Sequence, residues 1–173
     1  MKRLSLLIVA LGVLVSGCGS SSTTPTGPTN PTFTATLLPA SENPAIVGAE
    51  ATGSGTATVT LVVTKDAAGN VTAATGTFVV NLSGFPAGTP INAAHIHGPN
   101  APAGVNAGVL VNSGIAAGQN VLTNGSGTFT ASNLTVTPEQ ANAILANPST
   151  FYFNVHSTLN PGGVARGQLV RVQ

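Results

Sequence analysis

Three histidines are all this chain has, and two of them stand two residues apart in Ala94-His95-Ile96-His97-Gly98-Pro99. The third closes Phe151-Tyr152-Phe153-Asn154-Val155-His156. Residues i and i+2 of a strand project from one face, so His95 and His97 point together if their segment is extended. In the later segment Phe151, Phe153 and Val155 form the apolar register, which leaves Tyr152, Asn154 and His156 on the opposite face. The same sorting turns Ala94 and Ile96 to the core and the two histidines away from it. If the two strands are neighbours, three imidazoles converge. Neutral imidazole is a good ligand for copper, zinc or nickel, and catalytic zinc commonly has three protein ligands and one open position. His-x-His also arises by chance. The competing reading has these rings hydrogen-bond backbone carbonyls and fix a loop.

No other set of side chains assembles into a catalytic centre, which favours a non-enzymatic role. A Ser-His-Asp triad needs an acid to orient its base, and the single aspartate, Asp66, falls in a predicted hairpin turn. Glu42 and Glu50 are close in sequence but lie in a loop, without the opposed geometry of glycoside hydrolysis. Glu42 is expected to cap backbone amides of that loop. Arg166 is expected to pair with a carboxylate or with carbonyls at the end of a sheet.

The elements that must position these residues are strands. Of 173 residues 42% are apolar and only 5% charged, with 21 Gly, 12 Pro and no Trp, a composition of short strands and many turns. Period-two alternation is clearest over Gly55–Thr64, with Ala57, Val59, Leu61 and Val63 on one face and Thr56, Thr58, Thr60 and Val62 on the other. A polar turn at 65–70 and a second alternating run with Phe78, Val80 and Leu82 complete a hairpin. Further strands are expected at Phe33–Leu38, Ile91–His97, Gly108–Asn112, Gly127–Leu134, Phe151–His156 and Val164–Val172. One helix is expected from Pro138 to about Ala146, with Thr137 as cap and a stop before Asn147-Pro148. The fold class is therefore all-β: an antiparallel Greek-key sandwich or barrel of about eight strands with one short helix.

The start of the chain reads as targeting. A basic Met1-Lys2-Arg3 precedes an apolar run from Leu4 to Val15, and Val15-Ser16-Gly17-Cys18 follows. Small residues ahead of the only Cys resemble the lipobox of bacterial lipoproteins. This implies a signal peptide over 1–17, lipidation of Cys18 and a membrane anchor. Gly19 rather than Asp follows the Cys, which points to the outer membrane if the host has two. Residues 18–32 are then the lipidated Cys and a Ser/Thr/Pro tether, and residues 33–173 the folded domain. Without Lys2 and Arg3, three cations face four acids, a net charge of −1. That excludes a phosphate-neutralising nucleic-acid binder.

Ala94-His95-Ile96-His97-Gly98-Pro99, Phe153-Asn154-Val155-His156-Ser157, Asn160-Pro161-Gly162-Gly163 and Arg166-Gly167-Gln168-Leu169 together resemble the CHRD domain, named after repeats in chordin. Phe33-Thr34-Ala35-Thr36-Leu37 and Ser41-Glu42-Asn43-Pro44 resemble the start of that family. The family usually has Gly-Glu-Ile-Arg where this chain has Gly163-Val164-Ala165-Arg166, so that carboxylate is absent. In chordin the repeats belong to an extracellular protein that binds growth factors. The resemblance implies a cell-envelope binding or surface module, with an envelope or extracellular protein or a glycan as partner. The pattern is more distantly similar to copper/zinc superoxide dismutase, which would make His95, His97 and His156 ligands of copper or zinc and Arg166 an anion attractor. The chain lacks the further histidines and the zinc aspartate of that enzyme, so its full chemistry is not expected. A structural envelope spacer is the third reading.

Overall fold

The computed structural model describes residues 30–173. The expected signal peptide, Cys18 and most of the expected tether lie outside the described residues. Ten strands and one α-helix follow in chain order: β1 (Thr32–Leu37), β2 (Ser54–Lys65), β3 (Val71–Ser83), β4 (Thr89–His97), β5 (Val109–Asn112), β6 (Asn120–Leu122), β7 (Gly127–Val136), α1 (Pro138–Ala146), β8 (Tyr152–Ser157), β9 (Ala165–Gln168) and β10 (Val170–Arg171). All pairings are antiparallel. One sheet has the order β10-β1-β2-β3-β7, the other β5-β4-β8-β9 with β6 also against β4. The protein is an all-β sandwich, as its alternation predicts.

The long hairpin of β2 and β3 is the spine of the first sheet, and its inward residues Ala57, Val59, Leu61, Val63, Phe78 and Val80 are all fully buried. Facing them from the second sheet are Ile91, Ala94, Ile96, Phe153 and Val155. Phe78 and Phe153 meet edge to face across the sandwich, centroids 5.1 Å apart. Burial of large apolar side chains from both faces is what holds the layers together, at about 1.5–3 kcal/mol for each Phe, Ile, Leu or Val.

The helix has a reciprocal capping box. The Thr137 hydroxyl accepts from the Gln140 amide, and the Gln140 side chain accepts from the Thr137 amide. Ala141 and Ile144 face the core. Two elements differ from expectation. The short β6 has one buried residue, Leu122, which is too little alternation to read in a sequence. The expected strand Val164–Val172 divides at Leu169, where the chain passes from the second sheet to the first. Leu169 is fully buried and its amide donates to the Phe151 carbonyl, which anchors the crossing point.

Candidate metal centre

β4 and β8 are neighbours, with His95 opposite Asn154, Ala93 opposite His156 and His97 opposite Tyr152. This register brings the three histidines to the outer face of the second sheet. Ring centroids lie 4.7 Å apart for His95 and His156, 5.4 Å for His95 and His97, and 6.2 Å for His97 and His156. One ring nitrogen from each falls within 4.8 Å of the other two. A bulge between Ile96 and His97 in the pairing with β5 adjusts the strand at the second histidine.

The face is not open to water. Tyr152, Asn154, His156 and His97 are buried and His95 half-buried. Two loops, residues 98–108 and 158–163, each offer a backbone carbonyl to one histidine. Nδ1 of His97 donates to the Ala107 carbonyl at 2.9 Å, and Nδ1 of His156 donates to the Pro161 carbonyl at 2.9 Å. A carbonyl only accepts, so both neutral rings carry their proton on Nδ1 and a lone pair on Nε2. Nε2 of His97 is buried with no hydrogen-bond partner. Nε2 of His156 lies 2.9 Å from Nδ1 of His95 and 3.0 Å from Oδ1 of Asn154.

Each loop has its own anchor. Buried Glu50 accepts from the Ser157 hydroxyl at 2.6 Å and from the Asn160 side-chain amide at 2.5 Å, and the Asn160 backbone amide donates back to Ser157. These bonds pin the turn that carries Pro161. On the other side, Arg166 donates to the Ser41 carbonyl at 2.6 Å and to Oδ1 of Asn106 at 2.8 Å. Asn43 donates to the Gly104 carbonyl, and Asn106 donates to that of Asn43. The Arg166 guanidinium also lies 4.7 Å above the Tyr152 ring, which stacks flat on His97 at 4.7 Å. Gly98, at φ +143°, turns the chain directly after His97, and a Cβ there would enter the Phe151 ring.

Burial sets the protonation states. It pushes His95 down to about 4, helped by His156 and His97 beside it. It also lowers His97 and His156, against carbonyl hydrogen bonds that pull both upward. At neutral pH all three rings are neutral, the form that ligates a metal. Glu42 does not cap loop amides. Its side chain is 6% exposed, its Oε2 is 3.8 Å from Nε of Arg166, and its Oε1 has no hydrogen-bond partner. Burial raises Glu42 to about 7, opposed by Arg166 and by the Asn154 amide. Arg166 is 2% exposed and occupied by carbonyls, Asn106 and Glu42, so it faces no anion from solvent.

Both sequence readings of the histidines meet in this geometry. Two rings bond carbonyls through Nδ1, and through the same bonds they turn Nε2 toward a common space. Glu50, Ser157 and Asn160 are contributors that residue spacing did not single out, whereas the alternation of β8 had already placed Tyr152 on this face. The run Asn160-Pro161-Gly162-Gly163 marked the loop, but a backbone carbonyl has no letter of its own.

The CHRD domain family model matches residues 33–169. The chain belongs to the CHRD domain family. No curated protein and no solved structure matches it. In this CHRD domain the matched region contains both sheets' spines and every residue of the site, from Glu42 to Arg166.

Proposed function

We propose that this CHRD protein is a lipid-anchored, non-enzymatic binding module of the cell envelope, and that its ligand is one transition-metal ion, copper or zinc. His95, His97 and His156 would hold the ion. One observation carries the reading: two buried histidines have Nδ1–H committed to backbone carbonyls, so that both Nε2 lone pairs and Nδ1 of His95 turn to one desolvated space. Metal-ligating histidines typically donate their other ring N–H to a carbonyl or carboxylate, which fixes tautomer and ring orientation. Three ligands that merely hold a loop do not need a buried Nε2 without a partner. The anchor rests on Cys18 and the apolar run before it, and the tether would hold the domain off the membrane. The outer membrane is the expected location if the host has two.

The test is metal analysis of the purified chain, followed by zinc and copper titration at neutral pH beside His97→Ala. One equivalent bound by the wild type and lost in the variant is the expected result. A wild type that binds neither ion, while folded, refutes it. A second reading is favoured by the family and by exposed apolar residues on the two covering loops, Val105 and Leu159. In it those loops dock an envelope or extracellular protein or a glycan. Recovery of such a partner from envelope extract by the wild type, lost with Leu159→Asp, supports docking; no recovery leaves a spacer role.

A further inference from the structure

The metal site of the preceding reading has three nitrogens, and three ligands leave open whether an ion held there is exposed to substrate. A fourth donor is already in place. Asn154 sits on β8 two residues before His156, opposite His95 of β4, and is 2% exposed. Its Oδ1 is 3.0 Å from Nε2 of His156, and its side chain also lies against His97.

That approach sets two acceptors against each other. Nδ1 of His156 is bound to the Pro161 carbonyl, so Nε2 of the neutral ring carries a lone pair, and so does Oδ1. Three changes would relieve the conflict. Protonation of Nε2 would put an imidazolium on a ring that is only 8% exposed and whose Nδ1–H is already committed to the Pro161 carbonyl. Turning the amide over would set Oδ1 against Glu42, whose carboxylate side the NH2 now faces. When the carboxyl is ionised, the form Arg166 favours against the larger opposing effect of burial, its partnerless Oε1 would then meet a second acceptor in place of an N–H. Gly163 keeps this arrangement tight: a Cβ there would lie 2.7 Å from Oε1 of Glu42 and 2.9 Å from Nδ2 of Asn154. The third change is a cation between the lone pairs. It satisfies Oδ1 of Asn154, Nε2 of His156 and the partnerless Nε2 of His97 together. His95 then has to hold its proton on Nε2, leaving Nδ1 to ligate.

We propose that Oδ1 of Asn154 is the fourth ligand of a closed, four-coordinate site with His95, His97 and His156, and that the site takes a divalent transition-metal ion. Closed tetrahedral sites are those that hold a metal, whereas catalytic sites keep a position for water or substrate. This inference rests on the metal reading above and adds that the ion is stored or stabilises the fold, and is not presented to a substrate. Glu42 is then a positioning residue that orients the Asn154 amide.

The experiment loads the full chain with Zn(II) and with Co(II) as a spectroscopic probe. Wild type, Asn154→Ala, Asn154→Asp and His97→Ala are compared, with the apo melting temperature of each as a folding control. Asn154→Ala is expected to weaken Zn(II) binding by about 100-fold, the upper end of the loss seen for residues that only support ligands. It should also change the visible Co(II) spectrum as water takes the fourth position. Asn154→Asp should restore affinity and a four-coordinate spectrum, which separates ligation from lost packing. If Asn154→Ala binds Zn(II) as tightly as wild type with an unchanged Co(II) spectrum, while His97→Ala loses the ion, Asn154 is no ligand and the three-histidine reading stands alone. If the folded wild type binds neither ion, both fail.

Discussion

The outer faces of the two sheets arise from the same period-two pattern and end in opposite environments. On the β1-β2-β3-β7 side the outward residues are mostly threonine: Thr56, Thr64, Thr75, Thr128 and Thr130 are exposed, and Thr58, Thr60 and Thr77 are half-buried. On the β4-β8-β9 side the outward residues are His97, Tyr152, Asn154, His156 and Arg166, all buried, with His95 half-buried. Threonine suits a solvated strand, since its branched Cβ fits the pleat and its hydroxyl meets water. Histidine, asparagine and arginine in a covered face need partners, and each uncompensated polar atom costs about 1–3 kcal/mol. Two loops are laid over the second face and supply most of those partners. Three polar atoms stay unpartnered there, in Glu42, His97 and Arg166, and none of the three lies on the threonine face. A domain that only needed stability would have built both faces like the first.

The largest blow to the covered face should come from Glu50→Ala. It removes the acceptor of both Ser157 and Asn160, so the apo chain should lose about 2 kcal/mol, measured by denaturant unfolding. Metal affinity should fall as well, by about 10–100-fold, because the Pro161 carbonyl that holds His156 is no longer pinned. An unchanged affinity would mean that the loop keeps its shape without this anchor.

A pH series of apo melting temperatures sharpens the contrast. Histidines lowered in the fold bind fewer protons than their unfolded counterparts, so stability should fall as pH drops from about 6.5 toward about 4, the value of His95. Glu42 acts in the opposite sense. Raised to about 7, it holds an extra proton in the fold, and its contribution fades as pH rises from about 4.5 through 7. Glu42→Gln should therefore steepen the acid-side loss. A Glu42→Gln chain whose melting temperature rises on acidification through 6 would show that the histidines are not buried as neutral rings.

The smallest effect belongs to the open face. Thr130→Ala should shift stability by no more than about 0.5 kcal/mol and leave zinc titration unchanged. A clear loss of metal affinity there would mean that the two faces communicate through the core.

The sequence makes the inner faces and the helix readable, because Val59, Leu61 and Phe78 alternate with threonine and because Thr137-Pro138 announces a helix start. It does not reveal β6, which has only Leu122 to bury, nor the division at Leu169, where alternation continues while the pairing partner changes. The histidine cluster is legible from strand periodicity once β4 and β8 are taken as neighbours. What covers it is not, because the decisive contacts are the backbone carbonyls of Ala107 and Pro161. Glu42 and Glu50 look alike in sequence, yet one lies beside Arg166 and the other ties down Ser157 and Asn160.

The central claim is that His97 and His156 carry their protons on Nδ1 and turn Nε2 to a shared site. Nitrogen-15 correlation spectra of the histidine rings, recorded at neutral pH before and after one equivalent of Zn(II), test it most directly. The account predicts Nδ1–H tautomers for both rings in the apo chain, with Nε2 of both shifting when zinc is added and Nδ1–H retained. Nε2–H tautomers in the apo chain, or Nε2 resonances that zinc does not move, would contradict it.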